Sequence, residues 1–194
     1  ARRCEYYISL YYKAENAMLF NSGYDANLGI MECIAERNDT IIYDELVHAS
    51  IRDGIRLSNS RSFSFAHNDL EDIKKKIAQA SGQIFIVTES IFSMDGDKAP
   101  LEELAEITKK NNARPNGKAG QAFLIVDEAH AIGLYGVKGC GLVDELGLQD
   151  DVFIRIVTFG KGAGMHGAAA ICKDAINDYL INFCRPFIYS TALP

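Results

Sequence analysis

The chain holds no C-x-x-C pair, no H-E-x-x-H, no long basic run and no apolar stretch of membrane-spanning length. Each absence removes a class of protein. The five cysteines, at 4, 33, 140, 172 and 184, are scattered and odd in number. That spacing argues against a disulfide framework and for a reduced, intracellular chain. The four histidines, His48, His67, His130 and His166, lack zinc-site spacing, so no metal is expected. A membrane helix needs ~20 consecutive apolar residues, and no segment approaches that. No signal-peptide pattern opens the sequence, and the expected location is cytoplasmic. A formal net charge of -6 makes nucleic acid and anionic membrane poor partners. Internal repeats and low-complexity tracts are also missing. What remains is 194 residues, 48% hydrophobic and 24% charged, the balance of one globular domain with a sizeable core.

Along the chain, apolar runs and amphipathic stretches alternate. Strands are predicted at 17–21, 40–43, 62–65, 83–88, 122–127, 152–157 and 167–172. Helices are predicted at 2–15, with Tyr6, Leu10 and Tyr7 on one face, and at 23–35, 48–57, 70–79, 101–110 and 174–183. Ser22 and Asp69 read as N-caps, and Pro100 opens its helix at a position that tolerates proline. Residues 111–121, rich in Asn, Gly, Lys and Ala, read as a surface loop. This β-α alternation implies a mostly parallel sheet covered by helices on both faces.

Ligands of such sheets sit outside the carboxyl ends of the strands, so the residues just past each strand carry the argument. Ser22-Gly23-Tyr24 stands at a helix N-terminus, where free N–H groups and the helix dipole favour an anion. Glu89 and Ser93 follow the 83–88 strand. Asp127-Glu128-Ala129-His130 closes the next, and Thr158 and Lys161 follow 152–157. Lys161 lies between Gly160 and Gly162 at a strand end. Alone it reads more readily as a solvated lysine in a turn, and His48 and His130 as structural histidines; Ser22 reads equally as an ordinary cap, and His67 reads as structural. Together the strand ends offer a phosphate cradle, a carboxylate, a histidine, hydroxyls and an amine able to condense with an aldehyde. That combination suits pyridoxal phosphate. Two other motifs fail on context. Asp127-Glu128-Ala129-His130 spells a helicase signature, but no G-x-x-x-x-G-K-[ST] loop accompanies it. Gly162–Gly167 matches G-x-G-x-x-G but lacks the acidic residue ~20 positions on.

The stretches 19–27, 44–50, Phe92–Asp97, Val126–His130, Thr158–Gly162 and Tyr189–Thr191 occur in an order that resembles the α-oxoamine synthases. These are fold-type-I pyridoxal-phosphate enzymes that condense an amino acid with an acyl thioester. The resemblance implies a three-layer αβα fold with a mostly parallel seven-stranded sheet whose last strand is antiparallel. It also implies roles. Lys161 would hold the cofactor covalently and move protons, and Asp127 would pair with the pyridine nitrogen. His48 would stack on the ring. Ser93 and His130 would meet the phenolic oxygen. Ser22, Gly23, Tyr24 and Thr158 would bind the phosphate, and Thr191, with Ser190, would reach the phosphate of a partner subunit in a homodimer. Residues 93–97 and 158–161 are worded most like the family's biotin-pathway branch, which uses L-alanine and a pimeloyl thioester delivered by CoA or a carrier protein. The glycine C-acetyltransferase branch is the alternative, and a non-catalytic partner subunit is the competing reading of another class. Residues 1–194 read as the cofactor-binding large-domain core without the family's N-terminal arm and C-terminal small domain. The carboxylate-gripping arginine belongs to that small domain, so this chain alone is expected to be inactive. Met165-His166 departs from the family pattern.

Overall fold

The computed structural model describes residues 2–113 and 119–191. Long apolar runs become strands because the sheet is covered on both sides. In β4 (Gly82–Glu89) every residue from Ile84 onward is buried. Ile84 and Ile86 enter one core while Phe85 and Val87 enter the opposite one, as the two-residue period of a strand requires. The other strands are β1 (Asn16–Phe20), β2 (Thr40–Asp44), β3 (Arg61–Phe65), β5 (Ala119–Asp127), β6 (Val152–Thr158) and β7 (Ala168–Cys172). Among the described residues they form one seven-stranded sheet in the order β1-β7-β6-β5-β4-β2-β3. Strands β2 to β6 are paired in parallel, and β7 runs against both of its neighbours, β6 and β1. The expected mostly parallel seven-stranded sheet with an antiparallel last strand is the one observed.

Helices α2 (Gly23–Cys33), α3 (Ala49–Leu57) and α7 (Asp174–Phe183) pack on one face. Helices α1 (Arg2–Tyr11), α4 (Leu70–Gln79), α5 (Leu101–Asn112) and the short α6 (Leu142–Glu145) pack on the other. A last short helix, α8 (Arg185–Ile188), follows α7. Local chemistry starts these helices where expected. Ser22 Oγ accepts the Asp25 N–H at 3.0 Å, and Asp69 accepts those of Glu71 and Asp72 at 2.9 and 3.0 Å. On α4, Ile73 and Ile77 stand one turn apart and are buried against the sheet. Burying each such side chain stabilises the fold by about 1.5–3 kcal/mol.

Two expectations are corrected. Helix α1 ends at Tyr11 rather than residue 15, because Lys13 takes a positive φ of 53°. Its inward residues are Ser9 and half-buried Ile8, whereas Tyr6, Tyr7 and Leu10 are exposed. Residues 111–121 are not all loop. Helix α5 continues to Asn112 and β5 begins at Ala119. The Asn112 side chain bridges the two, accepting the Ala122 N–H at 2.6 Å and donating to the Ala122 carbonyl at 2.9 Å. Residues 114–118 of that predicted loop lie outside the described residues.

Candidate active site

Parallel pairing brings the last residues of β2, β4, β5 and β6 to one edge of the sheet: Asp44, Glu89, Asp127 and Thr158. Asp127 is almost fully buried, with Oδ2 accepting the Asn27 amide at 2.7 Å and Oδ1 the Ala129 N–H at 2.9 Å. Asn27 projects from the first turns of α2 and also donates to Ser50 Oγ at 3.0 Å. Its Oδ1 is buried without a hydrogen-bond partner among the described residues. Glu89 pairs with Asp127 directly across β4 and β5. Burial, then the Asp127 charge, pushes the Glu89 carboxyl up to about 7, while the His48 N–H it accepts pulls the other way. That N–H lies 2.7 Å from Glu89 Oε1. His48 is the N-cap of α3, its Nδ1 2.7 Å from Ser50 Oγ.

Lys161 sits in the turn after β6 and is exposed. Its Nζ lies 2.7 Å from Nε2 of His130. Burial first, then the Lys161 charge, lowers the His130 pKa, with Asp127 opposing. The arrangement that satisfies both groups is a neutral imidazole accepting a hydrogen bond from the lysine through Nε2. Gly162 allows the turn to come this close, since a Cβ there would lie 2.1 Å from the Ile132 carbonyl oxygen. One residue past the cap of α2, Gly23 faces Thr158, and a Cβ on Gly23 would stand 2.3 Å from Thr158 Oγ1. In the first turn of α2, Ser22 occupies the Asp25 and Ala26 N–H groups. No hydrogen bond among the described residues uses those of Gly23 and Tyr24, which leaves two donors at the positive end of the helix dipole.

The predicted residues therefore separate into groups. Asp127, Lys161, His130 and His48 stand together at the ends of β5 and β6 and the start of α3, with Ser22, Gly23 and Thr158 beside β6. The Tyr24 hydroxyl is turned to Asp53 of α3 at 2.5 Å, which leaves its backbone N–H at the site. Ser93 is exposed in the turn after β4, with no hydrogen-bond partner among the described residues. Thr191 and Ser190 approach Asn21, whose amide donates to the Thr191 carbonyl at 2.8 Å and to Ser190 Oγ at 3.2 Å. His166 is exposed. The DEAH glutamate is structural: Glu128 accepts Arg155 at 2.7 and 3.0 Å and the Val143 N–H at 2.9 Å, fully buried. Asn27 was missed, although one amide among the apolar residues of α2 is a signal that it meets something polar inside. Glu89 was noticed at its strand end but given no role.

A buried carboxylate, an amine–imidazole pair and a helix start with two unused N–H donors stand on one edge of an α/β sheet, and the chain belongs to the aminotransferase class I and II family, whose model matches residues 4–194. Among curated proteins it is similar to the 8-amino-7-oxononanoate synthase of Emericella nidulans, 41% identical over 204 residues covering all of this chain and 48% of that protein. Among solved structures, the 8-amino-7-oxononanoate synthase of Francisella tularensis superposes with a TM-score of 0.83 at 33% identity, covering 100% of this chain and 53% of that one. A serine palmitoyltransferase from S. paucimobilis, solved with a bound PLP–myriocin aldimine, superposes at 0.89 with 32% identity, covering 98% and 46%. The chain thus spans about half the length of the relatives it matches. These neighbours agree with the α-oxoamine synthase resemblance. No helix among the described residues is long and apolar enough to cross a membrane.

Proposed function

We propose that this chain carries the cofactor site of a pyridoxal-phosphate-dependent C-acyltransferase. The reaction joins L-alanine to a pimeloyl thioester, releasing the thiol and carbon dioxide, as in biotin formation. The observation that carries this reading is the 2.7 Å contact between Lys161 and His130, standing beside the buried Asp127 carboxylate. The donor set suits the cofactor: an amine for its aldehyde, a carboxylate for its ring nitrogen and the N-terminus of α2 for its phosphate. Gly23 is part of the fit, since any side chain there would fill the space against Thr158.

When bound, pyridoxal phosphate supplies an aldehyde for covalent attachment and a ring that draws electrons from a substrate α-carbon. The chain's own residues do the rest. Asp127, fixed by Asn27 and the Ala129 N–H, keeps a proton on the ring nitrogen, because an opposite charge nearby favours the charged form. Lys161 anchors the group and then moves the substrate's α-proton. Neutral His130 takes a proton from Lys161 or returns it, and with Ser93 it meets the phenolic oxygen. His48, whose backbone N–H is held by Glu89, would cover the ring. The Gly23 and Tyr24 N–H groups, with Ser22 and Thr158, hold the phosphate. A second copy of the chain completing the site through Ser190 and Thr191 is part of this reading.

The test uses the intact protein. Borohydride reduction with pyridoxal phosphate should leave a pyridoxyl group on Lys161, and Lys161→Ala should lose both that label and turnover. Alanine with pimeloyl-CoA should turn over faster than glycine with acetyl-CoA or serine with palmitoyl-CoA. A label on another lysine overturns the site, and a faster rate with either other pair overturns the substrate assignment.

A further inference from the structure

Outside these residues lies a second polar cluster with no role in the reading above. His67, which follows β3, has Nδ1 3.0 and 3.1 Å from the two carboxylate oxygens of Asp44. Its Nε2 lies 2.7 Å from Asp97 Oδ2. Both ring nitrogens thus face carboxylates, and only the protonated ring can donate to both. The Asp44 side chain is fully buried, and Phe92 packs edge-on against the imidazole at 4.4 Å between centroids. Asn68 repeats the connection from a positive φ of 56°. Its N–H goes to Asp44 Oδ2 at 2.9 Å and its side-chain amide to Asp97 Oδ2 at 2.9 Å. Two consecutive residues therefore tie the end of β2 to the turn that follows β4. That turn is closed by the Ile91–Lys98 bridge, by the Phe92 N–H to the Asp97 carbonyl at 3.0 Å and by the Gly96 N–H to the Phe92 carbonyl at 2.9 Å. Ser93 stands within it.

We propose that His67 is a positioning residue, clamped between Asp44 and Asp97, that fixes the 91–98 turn and so holds the Ser93 hydroxyl at the cofactor edge of the sheet. The proposal rests on the reading that Ser93 meets pyridoxal phosphate. The clamp is electrostatic, because its strength depends on the imidazole being charged. Burial alone would lower the His67 pKa, but the hydrogen bonds and charges of Asp44 and Asp97 outweigh it and hold the value above its ordinary one. No other titratable side chain among the described residues is hydrogen-bonded to the ring. Glu45 takes only the His67 backbone N–H, at 3.1 Å. A raised folded-state value means the clamp is complete below about pH 6.5 and is released as pH rises through that raised value.

Two readouts test this in the intact protein: hydrogen exchange of the Phe92 and Gly96 amides, corrected for intrinsic pH dependence, and the Kd for pyridoxal phosphate from its absorbance. Asp97→Asn keeps the shape of a partly exposed side chain and removes one charge. It should speed exchange in the turn about tenfold and weaken cofactor binding by a similar factor, the size of one charge-assisted hydrogen bond. Ser93→Ala should weaken binding without changing exchange. In the unsubstituted protein, exchange should quicken as pH rises past His67 titration, and this rise should be blunted in Asp97→Asn. Unchanged exchange and affinity in Asp97→Asn, with affinity lost in Ser93→Ala, would refute the clamp and leave the cofactor site standing. Full affinity in Ser93→Ala would instead remove the reading on which the clamp rests.

Discussion

Replacing Gly23 with alanine tests the closest approach in the site. The new Cβ would meet Thr158 Oγ1 at 2.3 Å and the Thr158 Cβ and Cγ2 at 3.4 Å. Gly23 does not occupy the left-handed region, so the cost is space and not backbone strain. The hydroxyl would have to retreat by roughly 1 Å, and a β-branched side chain at a strand end has few rotamers to retreat into. Overpacking of this kind costs about 1–3 kcal/mol. Against it, alanine for glycine in a helix gains about 0.4–1 kcal/mol through the unfolded chain. The net expectation is a loss of about 0.5–2 kcal/mol, read as a lower urea midpoint at unchanged slope. Pyridoxal phosphate should also bind more weakly, since the methyl group enters between the α2 donors and Thr158. Thr158→Ala removes Oγ1 and leaves the contact at 3.4 Å, ordinary van der Waals distance. In that background Gly23→Ala should therefore be neutral or slightly stabilising. The same penalty in both backgrounds would refute the reasoning, because the cost would not then come from Thr158.

Two further outcomes follow from the buried charges. Asp127→Asn should cost about a hundredfold or more in turnover, since a charge aimed at the reacting group is worth several kcal/mol in a dry site. The same change removes a charge that raises Glu89, so the Glu89 titration should move down from about 7, visible as a shifted limb in the pH dependence of cofactor binding; an unmoved limb contradicts the pairing across β4 and β5. Glu128→Ala strands the Arg155 guanidinium, whose side chain is only 3% exposed, with the Cys140 carbonyl as its remaining hydrogen-bond acceptor among the described residues and the Tyr12 ring beside it. That should cost about 3–5 kcal/mol in urea unfolding, well beyond Glu128→Gln, and equal losses would show the ion pair to be unimportant.

The central strands could be read directly because burial on both faces writes them as apolar runs, as in Gln83–Thr88 and Val152–Val157. Helices with a side-chain cap and a periodic apolar face, such as α4, were equally plain. Short α6 and α8 leave too few residues for a period to emerge. Small and polar residues hid the first residues of β5, since Ala119-Gly120-Gln121 lack the β-branched side chains that mark a strand. The apolar residues Tyr6, Tyr7 and Leu10 of α1 are exposed, so an apolar face need not be the one that is buried. At the site, residues at strand ends were legible because topology alone brings them to one edge. The Asn27–Asp127 contact and the His67 clamp were not. Each joins side chains far apart in sequence, and their meeting depends on sheet order and on which way a side chain leaves its element.

Strand β7 carries a consequence for synthesis. Among the described residues β1 has one neighbour in the sheet, β7, with Asn16 opposite Cys172 and Phe20 opposite Ala168. About three-quarters of the 194-residue chain separates the partners. At ~10 residues per second a ribosome needs roughly 15 seconds to deliver the second after the first. For that interval Met18, Leu19 and Phe20 have no strand to lie against, while β2 and β3 can already join. Of the seven described strands, β1 is thus made first and paired last, and for that time it is an open edge on which a chaperone, or another nascent chain, can settle.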